Sequence, residues 1–439
     1  MRILQITAGA GGLYCGSCLM DNALATELLA RGEDVILLPV YTPTRTDERN
    51  VSDGHVFFGG ISVYLEQHVP LFRKTPAFLD RLWDKAAVIR AATGRGISVD
   101  PHALGDLTVS TLRGEEGNQA KEFGKLLRHL DELPDFDLAL IPNALLISLA
   151  PALRRALDRP VVCTLQGEDL FLEGLGESHR AQARELISRH AASVDAFVAT
   201  SDYYADFMAT YLDIDRGRIH TVPIGINLDG HAPGPDGQGG PFVIGYFARV
   251  APEKGLHVLA EAYRVLRLER GLAGTRLEAA GYLSPEHRPY LEGIKARLRE
   301  WGLELEFTYH GTLDREAKIS FLRGLGALSV PSPYAEPKGL YVLEALANGV
   351  PCVQPRHGAF PEVLARTGGG VLFEPNDAGD LADRLLALAT DRERARALGR
   401  RGAEGVARHH SIARMADRAL EVYGSVIPPA RAATAGASA

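Results

Sequence analysis

Short, mostly apolar runs alternate with longer stretches of helical period through most of this chain. The runs 3–6, 35–40, 138–141, 161–165, 196–200 and 219–223 lack the every-second-residue polarity of a half-exposed strand. They read as strands buried on both faces. Between them apolar residues recur every three to four positions. Leu19, Ala23, Leu24 and Leu28 predict a helix ending near residue 31, with Gly32 as its terminator, and further helices follow over 119–130, 146–157, 179–192 and 203–211. Ser201-Asp202 supplies the cap of the last. Strand and helix in alternation predict a parallel sheet covered on both faces. Residues 42–106 are less regular, with aromatics and prolines, and read as an insertion or a surface for a second substrate.

The pattern stops at Asp229-Gly-His-Ala-Pro-Gly-Pro-Asp-Gly-Gln-Gly-Gly-Pro241, which is nearly free of large apolar residues and marks a domain boundary. It restarts at 242–247 and continues with strands at 277–280, 305–309, 327–330 and 351–354. Helices lie between them. One carries the stripe Leu256, Leu259, Ala260, Tyr263 and Leu266, and another spans 340–347. Final helices run from 378 to about 423. The expected fold class is therefore α/β: two doubly wound Rossmann-like domains, 1–226 and 242–410, joined by a linker over 227–241. Residues 411–428 form a last helix and 429–439 a disordered tail.

With 439 residues, the chain is too long for a single core. A net charge of −7 and the lack of any run of five basic residues leave no footprint for nucleic acid. The N-terminal apolar run is too short for a signal peptide. The most apolar window, 138–153, is broken by Pro142, Asn143, Ser148 and Pro151, so no membrane span is expected. A cytoplasmic location follows, with weak attachment to a membrane surface left open. Cys15 and Cys18 form a CxxC pair without a second pair or neighbouring histidines. They read as small residues in a tight turn, with a redox pair as the alternative, and neither metal nor cofactor is expected.

The candidate chemistry centres on 331–362, PSPYAEPKGLYVLEALANGVPCVQPRHGAFPE. Glu336 falls in a strand-to-helix loop, and Pro361-Glu362 in the loop after the next strand. Glu344 lies inside a helix made apolar by Leu340, Leu343, Leu346 and Ala347, where a carboxylate needs a partner or a task. The loop N–H groups and the helix N-terminus suit an anion, and the carboxylates suit hydroxyls. A nucleotide sugar has both. Arg249 and Lys254 stand where the second domain's first strand hands over to its first helix, at the sheet edge where open α/β folds bind ligands. They fit a pyrophosphate. The bland alternative is a solvated turn in which Glu253 neutralises Lys254. Asp213-Ile-Asp215 reads as a solvated turn and not as a metal site. His357 reads as a group supporting the ligand edge, and His310 as a loop or core residue. The Ala8–Gly12 loop does not match G-x-G-x-x-G, and 37–41 has no acidic residue, so a nicotinamide-dependent oxidoreductase ranks last.

The segments GYFARVAPEKG, EPKGLYVLEALANGVPCV, TSDYYADFM and TVPIGIN, with the Gly-rich first loop, resemble the family 4 glycosyltransferases of the GT-B type. The resemblance spans nearly the whole chain. It implies a retaining transferase moving a sugar from a UDP-, ADP- or GDP-sugar donor to a hydroxyl acceptor on a polysaccharide, glycolipid or small glycoside. By the same resemblance Arg249 and Lys254 hold the diphosphate, Glu344 takes the ribose hydroxyls and Glu336 faces the donor sugar. The Gly339 and Leu340 N–H groups lie near phosphate or sugar, and Gly11 and Gly12 approach from the opposite domain. A helix from about 411 to 423 crosses back onto the first domain. The donor phosphate serves as the base, with Glu336 as covalent nucleophile the minority option. Two positions depart from the family pattern. Gln166, with Glu168 beside it, stands where a histidine often follows a first-domain strand, and it binds sugar or acceptor by hydrogen bonds without carrying a proton. Lys338 replaces a common aromatic and offers a third phosphate contact. The alternative function is a GT-B protein that binds nucleotide sugar without turnover.

Overall fold

The computed structural model describes residues 1–9, 16–59, 63, 66–67, 101–234 and 240–428, without the side chains of 101–103. Gly11, Gly12, Cys15 and the tail after 428 lie outside the described residues. The first sheet contains β1 (Arg2–Ala8), β2 (Asp34–Val40), β3 (Leu138–Ile141), β4 (Val161–Leu165), β5 (Ala196–Ala199) and β6 (Ile219–Thr221). Their order is β2-β1-β3-β4-β5-β6, with every pairing parallel. All residues of β3 and β5 are buried, which is why these strands read as unbroken apolar runs.

The second sheet contains β7 (Phe242–Phe247), β8 (Thr275–Ala280), β9 (Phe307–Tyr309), β10 (Ala327–Leu328), β11 (Cys352–Pro355) and β12 (Gly370–Phe373). Its order is β12-β11-β10-β7-β8-β9, again all parallel. In each sheet the order reverses once, between β1 and β3 and between β7 and β10. A crevice opens at the carboxyl ends of strands at such a reversal. The segments after β7 and β10 carry Arg249, Lys254 and Glu336 into the second of these crevices.

Three local expectations need correction. β12 was not foreseen: it is four residues long, follows Gly368-Gly369, and exists by its register with Cys352–Pro355. Helix Pro101–Leu112 begins inside the stretch read as irregular, because a proline at the first helical position is compatible with a helix. Pro361 and Glu362 are not in a loop but open helix Phe360–Thr367, again with proline in the first turn.

The last helix, Ile412–Val426, buries Met415, Ala416, Ala419, Val422 and Tyr423. It lies against helix Gly16–Ala30 of the first sheet: Arg31 donates to Asp417 at 2.6 Å and to the Ala413 carbonyl at 2.7 Å. Backbone bonds from Ile226 N to His410 O (2.9 Å) and from Ile412 N to Ile226 O (2.8 Å) fix its entry. The core on one face of the first sheet thereby runs continuously into the core of the second.

Candidate functional site

Gly255 sets up the second-sheet half of the site. Its φ of 74° closes the turn Pro252–Lys254, and a Cβ there would stand 2.0 Å from the Pro331 carbonyl oxygen. The turn therefore lies directly on the chain leaving β10, and Lys254 pairs with Glu336, which is 6% exposed. The loop holding Glu336 is laced at several points. Ser332 Oγ donates to Glu253 O at 2.8 Å, His357 Nε2 lies 2.9 Å from Ser332 O, and Ala359 N donates to Glu336 O at 2.8 Å. Burial pushes the Glu336 carboxyl up, but the Lys254 charge outweighs it, with Lys338 and the Gly339 N–H adding to the effect. The net position is below the usual carboxylate range. Glu336 is therefore an anion at neutral pH and not a proton donor. Arg249 is half-exposed and pairs with Glu253. This corrects the bland reading, in which Glu253 neutralised Lys254.

Helix Leu340–Ala347 starts from Gly339 at φ 70°. Glu344 is buried on it and has a partner that the sequence did not indicate. Lys318 Nζ stands 2.6 Å from Glu344 Oε1 and 2.6 Å from Asp47 Oδ2.

The first-sheet half is built at the ends of β3 and β4. Gln166 Nε2 donates to Pro142 O at 2.7 Å. Glu168 accepts from Ala144 N at 2.9 Å and from Gln166 N at 2.6 Å, so both its oxygens tie the two strand ends together. Burial raises its carboxyl, and the two N–H donors oppose that rise. Asp169 accepts from the Tyr204 hydroxyl at 2.7 Å and from the Tyr334 hydroxyl at 2.8 Å, the latter reaching over from the second sheet's loop.

The two halves touch. Lys338 Nζ donates to Ser17 Oγ at 2.7 Å and to Gln166 Oε1 at 3.3 Å, and Thr200 Oγ1 donates to Pro337 O at 2.9 Å. The Glu362 carboxylate caps the facing helix Asp202–Tyr211, accepting from Asp202 N at 3.0 Å and Tyr203 N at 2.5 Å. Lys254, Glu336, Lys338, Gly339, Leu340 and Gln166 thus converge where the N-termini of helices Gly16–Ala30 and Leu340–Ala347 approach each other. A Cβ on Gly16 would lie 3.8 Å from Leu340 Cδ2. Arg249 stands at the rim of this group, Glu344 faces Lys318, and Glu168 is turned into its own strand ends. Asp47, Lys318, Tyr204 and Tyr334 were not singled out from sequence. Tyr334 carried a faint signal, two residues before Glu336; the others meet their partners only through long-range packing. Asp215 accepts from Gly217 N at 2.9 Å and caps a short turn. Among the described residues no three His, Cys, Asp or Glu side chains stand together as a metal site, and no helix is long and apolar enough to cross a membrane.

Two parallel six-stranded sheets with facing crevices and a last helix returning to the first sheet define the GT-B class of glycosyltransferases. Family models agree with this architecture on each side of the linker. The model described as Glycosyltransferase Family 4 matches 106–229, and that described as Glycosyl transferases group 1 matches 235–405. The chain belongs to glycosyltransferase family 4. It is similar to the D-inositol 3-phosphate glycosyltransferase of Mycolicibacterium smegmatis, 29% identical over 54% of each chain. It is also similar to that organism's GDP-mannose-dependent alpha-(1-6)-phosphatidylinositol monomannoside mannosyltransferase, 27% identical over 57% of this chain and 66% of the other. The chain spans about half the length of the first of these curated relatives. In fold it resembles HepE of Anabaena, solved with UDP, with a TM-score of 0.68 at 17% identity over 97% of this chain and 100% of that one. Sucrose-phosphate synthase of Thermosynechococcus elongatus gives 0.67 at 18% identity over 97% and 99%.

Proposed function

We propose that this chain is a retaining transferase that moves a glycosyl group from a nucleoside diphosphate sugar to a hydroxyl acceptor. The observation that carries the reading is the meeting of Lys254, Glu336 and Lys338 with the N-terminus of helix Leu340–Ala347, at the reversal point of the second sheet and facing the first. Departure of the diphosphate develops negative charge, and two ammonium groups and a helix N-terminus are available to it. Lys254 releases Glu336 as it turns to the diphosphate, and the freed anion then faces the positive charge growing on the sugar ring. Glu336 therefore acts electrostatically, and Arg249 adds a guanidinium from the rim. Gln166 has no capacity to take the acceptor proton. That role falls to a donor phosphate oxygen, which is compatible with retention.

The relatives named above act on inositol phosphate and phosphatidylinositol mannoside, and one depends on GDP-mannose, whereas HepE was solved with UDP. These names support a phosphorylated polyol among the acceptors to be tried and leave UDP, ADP and GDP as donors. We place the protein in the cytoplasm, where such donors are available; a lipid-linked acceptor would require attachment to the membrane surface. The test is a panel of UDP-, ADP- and GDP-sugars with inositol phosphates, phosphoinositides and simple glycosides. Mass spectrometry follows nucleotide release and product, and NMR follows the anomeric configuration. Product of inverted configuration refutes retention. Nucleotide binding without product across the panel favours the second reading, a binder without turnover. That reading draws on one observation: Gln166 stands in the crevice where a proton-carrying side chain would be placed, held by Pro142 and Lys338.

A further inference from the structure

A second charge cluster lies about one helix away from the Lys254–Glu336 pair, where the loop after β2 crosses to the second sheet. Lys318, on helix Arg315–Arg323, is 5% exposed. Its ammonium is shared between Asp47, from the first sheet's side, and Glu344, from the second, at 2.6 Å each. Beside it Arg315 donates to Glu48 Oε1 at 2.7 Å and to Asp229 O, at the start of the linker, at 2.8 Å. The group walls a cavity of about 30 Å³, together with Met20, Asn227 and Leu340. That is room for about one water and not for a ribose. Burial alone would drive the Lys318 ammonium towards neutrality; the two carboxylates reverse this and hold it above the ordinary lysine range. A buried ammonium needs its partners, and here one of the two, Asp47, comes from the first sheet's side of the crevice.

We infer that Lys318 is a positioning residue for Glu344, and that Asp47 and Glu48 form a latch on Lys318 and Arg315 that must open to admit the ribose of the nucleotide to Glu344. The inference rests on the nucleotide-sugar reading of Glu344 given above. The latch arms lie in different halves of the molecule, so breaking them costs both closure and the second neutralising contact of Lys318. The Lys318–Glu344 contact lies wholly within the donor half and persists on opening, keeping the carboxylate aimed. An ion cluster that served stability alone would lower the melting temperature without changing nucleotide kinetics.

The test uses the full chain. Asp47→Asn/Glu48→Gln is compared with wild type by hydrogen exchange over 44–50 and 312–323, by the scattering radius of gyration, and by stopped-flow association of UDP, ADP and GDP. Exchange at both segments is expected to rise at least tenfold, the radius to increase, and association to quicken. Lys318→Met is expected to weaken the bound nucleotide about tenfold or more, the scale of losing a buried charged partner, with Lys318→Arg recovering part of it. Arg249→Ala serves as the contrast, weakening nucleotide binding with exchange unchanged. Unchanged exchange and association in the double variant, or wild-type affinity in Lys318→Met, overturns the inference. A wild-type chain that binds none of the three nucleotides overturns the donor reading and with it the ribose gate, and the exchange data then decide the latch by themselves.

Discussion

Lys254→Met tests whether the buried pair at the centre of the site has the energetics its geometry implies. The Lys254 side chain is 16% exposed and that of Glu336 is 7% exposed. Removing one partner of a buried ion pair costs about 3–5 kcal/mol. Here Glu336 keeps the Gly339 N–H and the field of Lys338, which brings the expectation to about 2–3 kcal/mol at pH 8. In the wild type Glu336 titrates below its unfolded value. The pair therefore contributes its stability above the unfolded value and loses it as pH falls through the folded one. In the variant burial dominates, the carboxyl takes a proton more readily, and at pH 5 the cost should shrink to about 1 kcal/mol. Adding Glu336→Gln removes the buried charge and should restore most of the loss. The assay is urea unfolding in a Trp83→Phe background, so that Trp301, packed in the second sheet's core, reports alone. A gap between variant and wild type that stays constant from pH 8 to pH 5, or that Glu336→Gln fails to close, refutes the argument.

Further expectations follow from the same geometry. Glu344→Gln should weaken nucleotide binding in calorimetric titration, whereas Glu336→Gln should mainly lower turnover; the opposite split means that the two roles are exchanged. Gly255→Ala forces a side chain into the left-handed region and onto the Pro331 carbonyl, so thermal unfolding should show a loss of about 2–4 kcal/mol, and an unchanged melting temperature excludes the close approach. Burial pushes His231 and His410 each down to about 4. Between there and the ordinary histidine range the unfolded chain binds protons that the folded chain does not, so stability should fall as pH drops from about 6.5 to 4. A double His231→Gln/His410→Gln variant with the same acid profile as wild type would contradict this.

Much of the scaffold was legible because parallel strands covered on both faces are rich in apolar residues, and eleven such runs overlap β1 to β11, with β9 shortened to Phe307–Tyr309 because Leu305 and Glu306 belong to the turn before it. Helix Leu340–Ala347 was legible residue for residue, because glycines bracket an apolar run. β12 was not, since its four residues become a strand only beside β11. The charged groups at strand-to-helix turns were visible, as was the need of Glu344 for a partner. Their pairings were not: Lys254 and Glu336 are 82 positions apart, and Lys318 stands 271 positions from Asp47. The bonds by which the Glu168 oxygens hold the ends of two strands were not visible either.

The sequence by itself thus determined the two α/β halves and the charged residues placed at the strand-to-helix turns of the second, since each depends on hydrophobic period, glycine placement and turn chemistry within a few residues, whereas the strand order and its reversal points came from long-range pairing. The tertiary structure alone decided which charges face each other: Lys254 with Glu336, Lys338 with Ser17 and Gln166, and Lys318 between Asp47 and Glu344. The physical reason is that ion pairing depends on through-space distance and local burial, both set by how the two halves close, and no local pattern encodes either.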